Sequence, residues 1–117
     1  MAIFIMLTRV SQDIIKTPQE LQALEQQVEE QIRNQCPAVK WVHNYAVLGP
    51  YDYVDIFEAP DTDTATKVST LIRTIGHAHV EIWPATEWGQ YKDMLRNMPA
   101  ILPDKPSRED ADRMLAL

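Results

Sequence analysis

The sequence is poor in cysteine, glycine and positive charge. Cys36 is the single cysteine of 117 residues, so no disulfide can form within the chain and no paired-cysteine metal motif is present. Gly49, Gly76 and Gly89 are the only glycines, and none sits in a glycine-rich phosphate loop. Ser11, Ser69 and Ser107 are the only serines and lack a nucleophile-elbow context. Lys and Arg number 11 against 17 Asp and Glu, for a net charge of −6 and a pI near 4.9. No basic run exists, which argues against nucleic acid and an anionic membrane surface as partners, since both require clustered cations. The longest apolar stretch, residues 2–7, is too short to span a bilayer and has no basic leader or cleavage site of a secretory signal. These absences point to the cytoplasm.

What is there fits one α+β domain. The apolar fraction is 45% and the charged fraction 24%, both ordinary for a chain that buries one core. Residues 2–10 are β-branched, aromatic and apolar on both faces, the signature of a central strand. Thr17, Pro18 and Glu20 open a helix with a capping box, followed by the stripe Leu21, Leu24, Val28 and Ile32, and Pro37 stops it. Residues 40–48 and 53–59 read as two strands joined by a turn at Gly49, Pro50, Tyr51 and Asp52. Asp61 caps a second helix with the stripe Ala65, Val68, Leu71, Ile72 and Ile75, ended by Gly76. Residues 79–83 form a fourth strand closed by Pro84, and Thr86 opens a third helix bearing Trp88, Tyr91, Leu95 and Met98. The order β-α-β-β-α-β predicts a ferredoxin-like fold, a four-stranded antiparallel sheet with two helices on one face. The domain is expected over residues 1–98. Residues 99–117 are a Pro-rich extension (Pro99, Pro103, Pro106) with a short terminal helix.

The stretch from Tyr45 through Gly49, Pro50, Tyr51 and Asp52, continuing through Ile56, Glu58, Ala59, Pro60 and Asp61, resembles the GYD-domain family. The Gly/Tyr/Asp turn here carries Pro50 between its glycine and tyrosine. Gly76 and Glu81 also fit the family pattern, and the resemblance runs over roughly residues 2–97. It implies a small bacterial-type protein related to the dimeric α+β barrels. It brings no mechanism and does not reach the Pro-rich tail.

The residues able to carry chemistry are on the strands. His43 and Tyr45 share a face of the second strand with Trp41, and His79 and Glu81 share a face of the fourth with Trp83. Asp55 lies on the third strand with Tyr53 and Phe57. Its face depends on the turn: a three-residue loop sets it beside Tyr45, a four-residue loop beside Ala46 on the other face. Val54 and Ile56 read as the helix-facing pair, which favours the first register. The expected ligand-binding group is therefore Trp41, His43, Tyr45, Asp55, Glu81 and Trp83. His43, Asp55, His79 and Glu81 are the catalytic candidates, through a His–carboxylate pair working near neutral pH. His43, His79 and Glu81 are the candidate ligands for a divalent metal such as zinc, iron or manganese. Each has a structural reading as well. Polar residues on an outward strand face are ordinary, Asp52 can bond turn amides, His77 can cap a helix end, and Cys36 closes the apolar stripe of its helix.

A helix-free face carrying Trp41, Tyr45, Tyr53 and Trp83 is too apolar for a monomer, so a homo-oligomer, at least a dimer, is expected. The C-terminal segment is the competing cover. Three functions follow: binding of a small ligand in a pocket between the sheet face and its cover, a small oxygenase or isomerase by analogy with the dimeric α+β barrels, and metal binding. The sequence requires no cofactor and supports neither haem nor flavin.

Overall fold

A computed structural model describes residues 1–13 and 17–99. The elements run β1 (Ala2–Val10), α1 (Pro18–Gln35), β2 (Lys40–Ala46), β3 (Tyr53–Ala59), α2 (Thr62–Thr74), β4 (Ala78–Ala85) and α3 (Trp88–Asn97). The four strands form one antiparallel sheet in the order β2-β3-β1-β4. This is the expected ferredoxin-like arrangement, with the doubly apolar β1 at its centre. The chain divides into two units, Met1–Glu87 and a second beginning at Trp88. The second unit's described part is α3, in which Trp88 and Tyr91 pack ring to ring at 5.5 Å and Arg96 pairs with Asp93 at 2.6 Å. The Pro-rich extension and terminal helix expected beyond Pro99 lie outside the described residues.

Local chemistry sets the helix ends. The Thr17 hydroxyl accepts the Glu20 N–H at 3.1 Å, and the Asp61 carboxylate accepts the Thr64 N–H at 2.8 Å. Each satisfies a donor that the first turn leaves without an intrahelical partner. The expected Gly76 stop resolves into two roles. His77 is the left-handed residue, with φ 50°, while a Cβ on Gly76 would lie 2.6 Å from the Ile72 carbonyl oxygen and 3.3 Å from Val28. Glycine is needed there because the chain leaves α2 close against the Ile72 carbonyl of its own last turn, with Val28 of α1 a second, softer contact. β4 runs past Pro84, which pairs with Phe4. This is tolerated because β4 is an edge strand.

The core lies between the sheet and the two helices. Phe4, Met6 and Thr8 of β1, Phe57 and Ala59 of β3 and Val80 of β4 are buried with Ile32 and Cys36 from the end of α1 and Ala65, Val68 and Ile72 of α2. Phe57 stacks on Phe4 at 5.4 Å and meets the edge of Trp41 at 5.5 Å. Burying a ring like that of Phe57 stabilises the fold by about 2–3 kcal/mol.

Two register features alter the expected faces. β2 contains a bulge: Trp41 pairs with Phe57 and His43 with Ile56, leaving Val42 as the extra residue. Trp41 therefore faces the helices, while His43 and Tyr45 face away. The β2–β3 connection spans residues 47–52 and pairs Ala46 with Tyr53. Asp55 then lies opposite Asn44 and Met6, on the helix side. Val54 and Ile56 take the open face, the reverse of the favoured expectation. The alternation of β3 alone could not decide this, because both of its faces are substantially apolar.

Candidate functional site

The expected site residues fall into two groups on opposite sides of the sheet. His43, Tyr45, His79, Glu81 and Trp83 belong to the side that no helix of the first unit covers. Trp41 and Asp55 belong to the helix side. The expected grouping of all of them in one place is corrected by the Val42 bulge and the longer turn.

On the open side, the turn after β2 folds back over the end of β1. The Asp52 N–H donates to the Thr8 carbonyl at 2.8 Å, and the Asp52 carboxylate accepts the Val10 N–H at 2.7 Å. The Asp52 N–H follows the last β1–β3 pair, and its side chain then stands in for the carbonyl a neighbouring strand would have supplied. The turn's tyrosine is thereby aimed across β1. The Tyr51 ring lies under the Arg9 guanidinium, 5.7 Å from ring centroid to carbon, and its hydroxyl donates to the Glu81 carboxylate on β4. His79 Nε2 is 3.7 Å from the same carboxylate, towards which the Trp83 indole also points. The Tyr51 hydrogen bond, ahead of the imidazole, holds the Glu81 carboxyl below its usual value, and the same bond pushes the Tyr51 phenol up. Tyr51, Arg9, His79, Glu81 and Trp83 thus form one polar cluster over the sheet edge.

His43 and Tyr45 stack at 5.9 Å on the other edge strand. His43 on β2 and His79 on β4 are separated by three strand spacings, roughly 14 Å at about 4.8 Å each. One chain cannot bring both imidazoles to one ion, which corrects the expected pairing. Among the described residues, no group of three His, Cys, Asp or Glu side chains is close enough to hold a metal ion.

Around these groups the open face is apolar. Ile3, Ile5 and Leu7 of β1 run beside Val54 and Ile56 of β3, with Trp83 and Tyr45 at the edges, 49% and 53% exposed. Leu48, in the turn, stands fully in solvent.

On the helix side, α1 and the sheet border an open-mouthed cavity of about 490 Å³. Met6, Thr8, Asn44, Tyr53 and Asp55 contribute from the strands, and Leu21, Leu24, Glu25 and Val28 from α1. Trp41 also lines it. Burial, reinforced by the Glu25 carboxylate, pushes the Asp55 carboxyl up to about 6. Burial likewise raises the Tyr53 phenol, whose hydroxyl faces Glu25.

Sequence reasoning missed Tyr51 and Arg9, because Tyr51 reads as turn composition and its partner lies two strands away. Glu25 reads as solvent-facing and is exposed, but it sits four residues after Leu21 and three before Val28, on the edge of the same helical stripe, where its carboxylate reaches the Tyr53 hydroxyl. That spacing was the available signal.

A ferredoxin-like sheet with one face that no helix of the first unit covers, a polar cluster pinned over it by a Gly/Tyr/Asp turn, and no described helix long and apolar enough to cross a membrane define a small α+β domain. The chain belongs to the GYD domain family, whose model matches residues 4–95. It is 34% identical over 80 residues to the glutamine synthetase and cystathionine beta-lyase binding protein of Thermus thermophilus, an alignment covering 65% of this chain and 79% of the relative.

Proposed function

We propose that this is a small binding protein that works as a two-fold pair. The open sheet face of one copy closes on that of the next, and a small ligand is held at the seam by Tyr51, His79, Glu81 and Trp83. The observation that carries this is the row Ile3, Ile5, Leu7, Val54 and Ile56, for which the first unit supplies no cover. A contiguous apolar patch flanked by polar groups is the ordinary mark of an association surface. The relative's name, which describes binding to two other proteins, supports a binding role over a catalytic one. The lone, buried Cys36 suits a reducing compartment, the cytoplasm.

Light scattering after size exclusion tests the pairing. The wild type is expected at twice 13.5 kDa, and Ile56→Lys at single mass with an unchanged circular dichroism spectrum. A wild type of single mass across the accessible concentration range overturns the reading.

Proton transfer is the second reading, resting on the 3.7 Å approach of His79 to Glu81. An imidazole beside a carboxylate can act as a general base near neutral pH. A His79→Gln protein that loses turnover of a substrate while still binding it would favour this reading over simple binding.

A further inference from the structure

The cavity beneath α1 lies inside one chain, on the opposite side of the sheet from the proposed seam. Its size, about 490 Å³, is that of a small-molecule pocket. Most of its wall is apolar: Met6, Leu21, Leu24, Val28, Ile32 and Trp41. Its charged groups are all of one sign. Asp55 projects from the sheet, and Glu25 faces it from α1. Glu29 is also on α1 and is engaged with Arg33 at 3.1 Å. Among the described lining residues there is no Lys, Arg or His. No hydrogen bond from a described residue reaches the Asp55 carboxylate. Two carboxylates on opposing walls, Asp55 half-buried and Glu25 exposed, with Trp41 and Tyr53 lining the same space, are complementary to one compact cation.

We infer that this cavity binds a small protonated amine with an apolar body, its ammonium set between Asp55 and Glu25 and its hydrocarbon or aryl part against Leu21, Leu24, Val28 and Trp41. The elevated carboxyl of Asp55, at about 6, gives the site a pH signature. Binding strengthens as pH rises through that value, because the anionic form is the one that pairs with the ammonium. The other titratable groups facing Asp55 are Glu25 and Glu29 of α1 and Tyr53 of its own strand. Of these, the carboxylates favour the cation in the same direction.

Calorimetric titration of the full chain with 2-phenylethylamine tests this, with 2-phenylethanol and 3-phenylpropanoate as neutral and anionic counterparts. The amine should bind at least about tenfold more tightly than the alcohol, a gap of about 1.4 kcal/mol, and the acid should not bind. Asp55→Asn should erase the preference for the amine while leaving the weak binding of the alcohol, and Glu25→Gln should reduce the preference. Backbone amide shifts should centre on Met6 and Asn44. The single-mass Ile56→Lys protein should bind the amine as the wild type does, so this outcome is independent of the pairing. Failure of the wild type to bind the amine, equal affinity for amine and alcohol, or an Asp55→Asn protein that keeps the preference would each overturn the inference.

Discussion

The Asp52 carboxylate accepts the backbone N–H of Val10 at 2.7 Å, although the two residues are 42 positions apart in the chain. With the Asp52 N–H on the Thr8 carbonyl at 2.8 Å, this fastens the β2–β3 turn to the end of the central strand. The turn's shape is thus a tertiary matter, held by β1 more than by its own glycine. Gly49 has open space where a Cβ would stand.

Asp52→Ala should therefore release the turn while leaving the core in place. A charge-assisted bond at an exposed site is worth about 1 kcal/mol, rising to about 2 where water is excluded. Urea denaturation should show a loss in that range with an unchanged slope. Hydrogen exchange should show the Val10 amide losing protection while Phe4 and Phe57 keep theirs. A variant as stable as the wild type with Val10 still protected would mean that the carboxylate is incidental.

Tyr51→Phe removes the hydroxyl that holds the Glu81 carboxyl below its usual value. A carboxyl depressed in the folded state stabilises the fold above its unfolded pKa, and that contribution is lost as pH falls through the folded value. The variant should raise the Glu81 titration midpoint towards an ordinary carboxylate, as read by carboxyl carbon shifts. It should also flatten the acid limb of the stability profile below about pH 4, where a free Glu titrates. His79 remains near Glu81 and limits the rise. An unmoved Glu81 midpoint would break the link between the turn and β4.

Asp55→Asn should act in the opposite sense. Burial raises its carboxyl to about 6, so the folded state holds the proton more tightly than the unfolded chain. The resulting stability is complete below the unfolded value near 4, and it is lost as pH rises through about 6. Asparagine should remove that slope and leave a protein more stable than wild type at neutral pH. Solvent reaches part of the carboxyl, so the gain is about 1 kcal/mol, well short of the full shift. Thermal melts at paired pH values on either side of 6 measure it. A neutral-pH loss of stability would instead make Asp55 a needed structural acceptor.

The elements were legible where local chemistry decides them. Thr17 and Asp61 mark helix starts by accepting N–H groups of their own first turns, Pro18 marks one by its fixed backbone at the first helical position, and β1 announces its central place by being apolar on both faces. What stayed hidden depended on partners distant in the chain. Whether Asp55 faces inward is set by how residues 47–52 dock on Thr8 and Val10. Whether Trp41 joins His43 is set by one bulged residue against Phe57 and Ile56. The cavity beneath α1 has no local signature beyond Glu25 falling on an apolar stripe. The family resemblance held because it rests on the turn residues themselves.

The bulge supplies a direct test of the register. In a regular strand, Trp41 and His43 would point to the same face; the extra Val42 lets one point inward and the other outward. Deleting Val42 makes Trp41 and His43 consecutive, and consecutive residues alternate. The deletion should leave both faces intact, pair Trp41 with Phe57 and His43 with Ile56 in an unbroken ladder, and cost less than about 1 kcal/mol, because Val42 is already 41% exposed. Deleting Asn44 instead keeps the bulge and pushes Tyr45 inward against Asp55 and Ala46 outward. That exchanges a small inward residue for a large one in a strand whose register is set by burial, and it should cost about 2 kcal/mol or more. Matched thermal melts compare the two deletions, and near-ultraviolet circular dichroism reports whether Trp41 still packs on Phe57. Equal loss in both would show that the strand tolerates no change of length, and that Val42 holds the edge for a reason other than the alternation of faces.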